Sequence, residues 1–160
     1  MIEIRRARTE DIPFLMDMIY VSIHIPENKP SKFEVLNQPH IRKYHEGWGS
    51  ATDRALIAFN EENMPVGAVW YRLFSEENQG YGYVDWNTPE LGLAVTEDAR
   101  GQGVATKLME GIMDQAVVDR YTSISLSVDP TNISAVKLYQ KLGFKKCSVS
   151  GTSWTMKVEL

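Results

Sequence analysis

Residues 90–106 read ELGLAVTEDARGQGVAT, which places a strand, a glycine-containing turn and the start of a helix in one short stretch. Large apolar residues alternate with others through 91–95, and this alternation predicts a strand with Glu90 on the opposite face. From Val104 onward apolar residues recur at three- and four-residue steps, as on the buried face of an amphipathic helix. The stretch therefore predicts a strand-turn-helix unit.

The turn of this unit has the composition of an anion-binding loop. Gly101 and Gly103 let backbone N–H groups approach a ligand closely, and the helix N-terminus adds unpaired donors and a positive dipole end. Arg100 adds a charge that suits a phosphate. A dinucleotide fingerprint would have glycine where Thr106 stands, and a P-loop would have glycine before Lys107. The pattern predicts a phosphate or pyrophosphate site, with a purely structural tight turn as the alternative.

A second informative block follows the helix. Residues 122–128 alternate Ile124, Leu126 and Val128 with serines, which predicts a strand. Residues 132–144 return to the helical period and reach Gly143 where a left-handed C-terminal cap is expected. The chain thus predicts a second strand-helix unit directly after the first.

Together the two blocks resemble the GCN5-related N-acetyltransferase (GNAT) family. The central motif of that family, Arg/Gln-x-x-Gly-x-Gly/Ala, is matched at Arg100, Gly103 and Ala105. Its second signature, Asn-x-x-Ala-x-x-Leu-Tyr-x-Lys-x-Gly-Phe, is matched at every named position of residues 132–144. The two motifs stand on either side of the helix and strand that the family places between them. The resemblance covers residues 90–144.

The resemblance implies that acetyl-coenzyme A binds where the strands at 90–95 and 122–128 splay apart. In the family, pantetheine amides pair with the first strand, and amides of the turn and helix start hold the pyrophosphate. A splayed strand leaves backbone groups that a ligand amide can satisfy. Asn132 would meet the pantetheine arm, or cap a helix beside Thr131. The implied cofactor contacts are Leu93, Ala94, Val95, Arg100, Gly101, Gln102, Gly103, Val104, Ala105, Thr106, Asn132 and Tyr139.

The resemblance also implies catalytic roles. Tyr139 matches the usual general acid of the family, which protonates the departing thiolate; a buried core aromatic is the alternative. Glu90 is the favoured base that removes a proton from the ammonium substrate, with a solvated strand-end carboxylate or a base at Asp85 as alternatives. The amide of Val95 or a neighbour would polarise the thioester carbonyl. The implied chemistry is direct acetyl transfer to an amine.

The N-terminal half predicts further helices and strands. Thr9 is expected to cap a first helix after a short strand. Residues 24–38 are interrupted by prolines and are expected to form a loop before a short helix at 41–48. Two β-rich runs, 55–59 and 66–74, predict an antiparallel hairpin.

Strands at 144–149 and 153–158 close the chain and give the order β α α β β β α β α β β. This order and the resemblance predict an α/β (α+β) fold with a mixed, mostly antiparallel central sheet and helices on both faces. No repeat, low-complexity tract or linker interrupts the order. We therefore expect a single GNAT acetyltransferase domain over residues 1–160.

The expected acceptor is a primary amine of a small molecule. In the family, the loop between the first two helices and the loop before the cofactor strand shape the acceptor pocket, which here are residues 24–38 and 75–88. Aromatic side chains are expected to wall the pocket and acidic ones to attract a cationic amine. The candidates are Trp48, Tyr81, Tyr83 and Trp86, with Glu27, Glu76, Glu77 and Asp85.

The composition limits the partners. A net charge of −4 argues against nucleic acid and anionic membrane surfaces, and no apolar run approaches the roughly 18 residues of a spanning helix. The lone Cys147 favours a reducing, cytoplasmic location. His40 and His45 would lie about 140° apart around a helix, so no metal site is predicted. The sequence is compatible with a homodimer.

Three other functions remain open at this point. A non-catalytic acyl-CoA sensor would keep the phosphate cradle but gain nothing from Glu90 or Tyr139. A protein N-terminal or lysine acetyltransferase would use the same chemistry on a larger acceptor. A nucleotide-binding oxidoreductase is the weakest of the three, because the dinucleotide fingerprint is incomplete.

Overall fold

The strands and helices follow one another in the order that the sequence predicts, with one additional helix. The computed structural model describes all 160 residues, and short 3-10 turns at Thr9–Asp11 and Glu97–Ala99 precede two of the helices. The elements are β1 (Glu3–Arg6), α1 (Ile12–Ser22), α2 (Lys32–Leu36), α3 (Pro39–Arg42), β2 (Arg54–Phe59), β3 (Pro65–Arg72), β4 (Glu90–Val95), α4 (Val104–Val118), β5 (Ser123–Val128), α5 (Ile133–Lys141), β6 (Lys145–Ser150) and β7 (Ser153–Glu159).

Seven strands form one mixed sheet in the order β1-β2-β3-β4-β5-β7-β6. The pairs β1–β2, β5–β7 and β6–β7 are antiparallel, whereas β4 and β5 are parallel. The parallel register joins Glu90 to Ser125 and Leu91 to Leu126. The predicted fold class, a mixed sheet with helices, is confirmed. No helix has the length and apolar character needed to cross a membrane.

The chain divides into two compact units, each made of two segments. The first comprises Met1–Trp70 and Gly92–Ile112. Its core is a cluster of buried apolar residues from helices α1 to α3 and from strands β2 to β4, in which Trp70 is 3% exposed. A Cβ added to Gly92 would lie 2.5 Å from the Trp70 ring, so only glycine fits this position of β4.

The second unit comprises Tyr71–Leu91 and Met113–Leu160. Its strand β5 is buried on both faces: Ile124 and Leu126 are buried as predicted, and Ser123 and Ser125 on the polar face are buried as well. A buried serine needs a hydrogen-bond partner, and both hydroxyls have one. The single domain expected over residues 1–160 stays a prediction.

Two of the three prolines between α1 and β2, Pro30 and Pro39, stand at the starts of helices. The prediction that residues 24–38 form a loop is wrong at its end, because α2 begins after Pro30 with Ser31 as its cap, which accepts a hydrogen bond from the Glu34 amide. Pro39 occupies the first turn of α3, where its missing N–H costs nothing. The predicted helix at 41–48 is therefore displaced toward the N-terminus.

The start of α1 also differs from the prediction. Thr9 lies inside a 3-10 turn and does not cap the helix. The Asp11 carboxylate instead accepts hydrogen bonds from the Arg8 amide and from the Arg5 guanidinium, each at 2.8 Å. Burial raises the pKa of Asp11, but these hydrogen bonds and the attraction of both arginines outweigh it, so its pKa lies below the usual value. The charged carboxylate therefore stabilises the folded state.

We expect Asp11→Asn to lower the free energy of unfolding at neutral pH by about 1.5 kcal/mol, the value of a hydrogen bond to a charged group. Because the pKa of Asp11 is lower in the folded state, its contribution is present above the unfolded value of about 4 and is lost as the pH falls through the folded value. Urea unfolding of both proteins at neutral and acid pH measures this difference.

Asp17→Asn is the matched control, because Asp17 pairs with Lys32 while both side chains are about half exposed. An exposed pair of this kind is worth about 0–1 kcal/mol. A difference between wild type and Asp11→Asn that does not shrink in acid would contradict the role assigned to the carboxylate.

Candidate active site

The turn before α4 has the backbone geometry of an open cradle. Gly101 and Gly103 have positive φ angles of 77° and 79°, which side chains other than glycine rarely adopt. A Cβ at either position would meet nothing within 4 Å, so the space beside both glycines is open. The first intrahelical bond runs from the Lys107 amide to the Gly103 carbonyl. The amides of Val104 to Thr106 therefore lack partners within the helix and are available to an anion.

The Arg100 side chain forms a hydrogen bond with the last residue of β4. Its Nε donates to the Val95 carbonyl at 3.4 Å, while the residue as a whole is exposed. Gln102 likewise bonds to the Asp98 carbonyl at 3.2 Å. These contacts fix the shape of the turn, so its predicted anion contacts come mainly from the backbone.

The C-terminal part of β4 follows the residues that pair with β5. The two strands pair at Glu90 and Leu91, and the residues from Gly92 to Val95 follow that pairing along β4. Leu93 and Val95 are half-buried, whereas Ala94 between them is buried. Residues with this placement are those for which the resemblance implies contacts to pantetheine, and their assignment stays a prediction.

Tyr139 lies on α5 with its side chain in a dry environment. It is 7% exposed, and its ring packs on Phe144 with centroids 5.9 Å apart. Burial raises its pKa to about 12, so the phenol is protonated throughout the neutral range. A protonated phenol in a dry site can donate a proton but cannot serve as a base near neutral pH. The prediction of a general acid and the alternative of a core aromatic are both compatible with this burial.

Glu90 is buried, and the expectation of a solvated strand-end carboxylate is wrong. The residue is 6% exposed, and its Oε1 accepts a hydrogen bond from the Gly82 amide at 3.0 Å. Asp85, the other candidate base, is exposed and accepts from the Asn87 amide at 2.9 Å in a local turn. Of the two carboxylates, only Glu90 is held in a protected environment.

Asn132 precedes α5 without capping it through its side chain. No cap hydrogen bond forms, and its side-chain oxygen accepts from the Ser134 hydroxyl at 3.4 Å. Asn132 nevertheless stands at the N-cap position, and its carbonyl accepts the first bond of the helix from the Val136 amide, so its place at the helix start and its predicted contact with the cofactor are both compatible with the structure. At the other end of α5, Gly143 has a φ of 97°, which confirms the predicted left-handed cap.

The contacts of Gly82 are the part of the site that the sequence did not reveal. Gly82 bonds to two buried side chains, those of Glu90 and Ser125. The serine alternation in β5 was the available signal, because a serine on a buried strand must bond to a neighbouring segment.

His45 does not take part in a metal cluster. Its Nε2 lies 2.7 Å from the Leu36 carbonyl, a contact that ties the segment after α3 to α2. No group of three or more His, Cys, Asp and Glu side chains is placed to hold a metal ion.

A model of the acetyltransferase (GNAT) family matches residues 21–144 of this chain. The match covers more than half of the sequence, and the chain belongs to this family. It is an acetyl-CoA-dependent acetyltransferase, which confirms the resemblance, the enzyme class and the cosubstrate predicted from the two motifs.

Relatives and solved structures agree with this family. The N-alpha-acetyltransferase of Saccharolobus solfataricus is 32% identical over 150 residues, which cover 91% of this chain and 81% of that protein. The structure of yncA from Salmonella typhimurium with its cofactor acetyl-CoA superposes with a TM-score of 0.72 at 15% identity, covering 100% of this chain and 94% of that one. The ribosomal-protein-alanine N-acetyltransferase from Brucella melitensis gives 0.71 at 19% identity, with 99% of each chain covered. The two structures show the same fold.

Proposed function

We propose that the protein transfers the acetyl group of acetyl-CoA directly to a primary amine of a small molecule in a ternary complex. The observation that carries the proposal is Tyr139, a phenol on α5 that lies in a dry environment and is protonated near neutral pH. A proton donor of this kind is needed when a thiolate leaves. A sensor that only bound acyl-CoA would need the ring for packing on Phe144 but not the hydroxyl.

The residues divide the reaction between them. Acetyl-CoA supplies an activated thioester, and the amine nitrogen forms a bond to its carbonyl carbon while the carbon–sulfur bond breaks. Glu90 accepts one proton from the ammonium group, directly or through a water, which leaves a neutral amine to attack. Tyr139 gives its proton to the sulfur, and the second proton that the nitrogen loses as the amide forms passes through solvent to restore the phenol. The Val95 amide donates a hydrogen bond to the carbonyl oxygen as negative charge develops there. The implied cofactor contacts at 93–95, 100–106 and 132 belong to the same proposal.

The segment before β4 favours a cationic acceptor. Trp86 is 73% exposed and Tyr81 is 40% exposed, which is unusual for large aromatic side chains. Burial, and after it the negative charges of Glu76, Asp85 and Glu77, raise the pKa of Tyr83. The exposed rings of Trp86 and Tyr81 and the carboxylates that act on Tyr83 belong to the same segment, and both kinds of group suit an ammonium ion. This supports an amine that is charged before it reacts.

A second candidate acceptor is the N-terminus of a protein. The relative with 32% identity is named an N-alpha-acetyltransferase, and the family chemistry is the same for both kinds of acceptor. The two candidates differ in the size of what must bind rather than in the reacting group.

An acceptor screen decides between them. Acetyl-CoA is incubated with polyamines, amino acids, aminoglycosides and short peptides that differ at the first residue, and both released thiol and acetylated product are measured. We expect small amines to give acetylated product in a one-to-one ratio with released thiol. In double-reciprocal plots of initial velocity against substrate concentration, the lines should intersect, as transfer within a ternary complex requires. Product on peptide N-termini alone would favour the second candidate. Absence of any acetylated amine would favour the sensor.

We expect Glu90→Gln to lower kcat/KM for the amine by about 100-fold, because the amide cannot accept the substrate proton. The substitution keeps the oxygen that accepts from Gly82, so the fold should persist. Steady-state kinetics with the best acceptor from the screen measure the loss.

Asp85→Asn is the control for this prediction, since it removes a neighbouring exposed carboxylate that is proposed only to attract the amine, and it should change kcat by less than about threefold. If Glu90→Gln retained wild-type turnover and Asp85→Asn did not, the base would have to be reassigned.

We also propose a single domain, a cytoplasmic location and a homodimer. All three stay predictions of the sequence. The exposed, unpaired Cys147 supports a reducing environment.

A further inference from the structure

Two neighbouring peptide groups of the segment before β4 are held by three buried or half-buried side-chain contacts. The Gly82 amide donates to Glu90 at 3.0 Å, and the Gly82 carbonyl accepts from the Ser125 hydroxyl at 2.6 Å. The Tyr81 carbonyl accepts from the Thr155 hydroxyl at 3.2 Å. Because a peptide group is planar, the Thr155 and Glu90 contacts fix both polar atoms of the peptide between Tyr81 and Gly82.

The close approach of Gly82 to β5 leaves no room for a side chain at this position. A Cβ at this position would lie 2.6 Å from the carbonyl carbon and 2.8 Å from the carbonyl oxygen of Leu126. Distances of that size are shorter than real Cβ contacts, so glycine is required. The backbone at Gly82 is thus pressed against the strand that carries Ser125.

Glu90 and Ser125 reach Gly82 from two adjacent strands. They are partners in the parallel register of β4 and β5, and both are buried, at 6% and 0% exposure. Gly82 therefore links the serine hydroxyl to the carboxylate, although the two side chains need not touch each other. The Gly82 carbonyl belongs to the next peptide group, so Ser125 acts on the Gly82 amide by holding the Gly82 Cα, which joins the two peptide groups, in place.

We propose that Ser125 is a positioning residue for Glu90, acting through the Gly82 backbone. This rests on the proposed function, in which Glu90 accepts the proton of the amine. With the Ser125 hydroxyl in place, the Gly82 amide holds the Glu90 carboxylate in one orientation. Without it, a buried carbonyl loses its donor, the segment moves to recover a partner, and the amide leaves Glu90.

The test compares Ser125→Ala with Ser123→Ala. Ser123 lies on the same face of β5, is also buried, and bonds to the Thr88 hydroxyl at 2.9 Å rather than to Gly82. Both variants lose one buried hydrogen bond and should lose similar thermal stability. Only Ser125→Ala should speed hydrogen exchange of the Gly82 amide, and only it should lower kcat, by about tenfold with KM for acetyl-CoA unchanged.

A double-mutant cycle tests whether Ser125 acts through Glu90. In the Glu90→Gln background, Ser125→Ala should have no further effect on kcat, because the group that it positions is already disabled. An additional tenfold loss in that background would overturn the proposal. Unchanged exchange of the Gly82 amide in Ser125→Ala would also overturn it, as would a kcat equal to that of Ser123→Ala.

The exchange measurement separates this proposal from the proposed function. If Glu90→Gln alone left turnover intact, the base assignment would fail and the catalytic part of the positioning role with it, while exchange at Gly82 would still show whether Ser125 holds the segment. If Ser125→Ala did not fold, Ser125→Cys would replace it, since a thiol fills a similar volume and donates only weakly.

Discussion

Replacement of Tyr139 by phenylalanine is expected to lower kcat by about 100-fold to 10,000-fold, the range of general acid catalysis. The departing thiolate would then leave without a proton donor. Phenylalanine keeps the ring that packs on Phe144, so the fold should be preserved. KM for acetyl-CoA should change little, because the hydroxyl is proposed to act on the leaving group. Rapid mixing with thiol detection measures the effect on the chemical step.

Tyr71→Phe is the matched control for this substitution. Tyr71 is fully buried, and its hydroxyl donates to the Asp119 carboxylate. Its loss should reduce stability by about 1 kcal/mol or more and leave kcat unchanged. Turnover of Tyr139→Phe within about threefold of wild type would mean that the sulfur is protonated by another group.

Gly103→Glu is expected to abolish detectable coenzyme A binding, with affinity reduced by at least about 100-fold. The φ of 79° disfavours any side chain, and a carboxylate beside the turn repels the diphosphate that the amides of α4 are proposed to hold. For wild type, coenzyme A at 100 times its dissociation constant should add about 2.7 kcal/mol to the free energy of unfolding. Thermal unfolding with and without coenzyme A measures this gain, which the variant should lack.

Gly151→Glu separates lost binding from lost stability. Gly151 lies in the turn between β6 and β7, has a φ of 60°, and would also meet nothing within 4 Å of an added Cβ. It therefore carries the same backbone strain and the same added charge. We expect this variant to be destabilised but to keep the full thermal shift with coenzyme A. An intact shift in Gly103→Glu would remove the turn from the binding site.

The elements that carry strong local patterns were predicted well. The strand at 90–95 and the helix from Val104 coincide with β4 and α4, because alternation and helical spacing report directly on burial. Gly143 was predicted because a helix that ends in a left-handed residue favours glycine. The GNAT motifs lie in these same elements, which is why the family could be identified from the sequence.

The features that were not predicted depend on contacts between residues that are far apart in the sequence. Ser125 and Gly82 are 43 positions apart, and nothing local indicates that one bonds to the other. For Glu90, the favoured base, the sequence left a solvated carboxylate open as the alternative, because nothing local shows that the Gly82 amide gives it a buried partner. The prediction that Thr9 caps α1 was wrong for a similar reason, since the Asp11 carboxylate bonds to Arg5 of the preceding strand.

We propose that acetyl-CoA binds with its thioester sulfur next to the hydroxyl of Tyr139. A crystal structure of the protein with acetyl-CoA, or with a non-transferable thioether analogue, measures the distance from the sulfur to that oxygen. We predict a distance within hydrogen-bond reach, with the Val95 amide directed at the carbonyl oxygen. A sulfur far from Tyr139, with other protein atoms or solvent between them, would contradict the account.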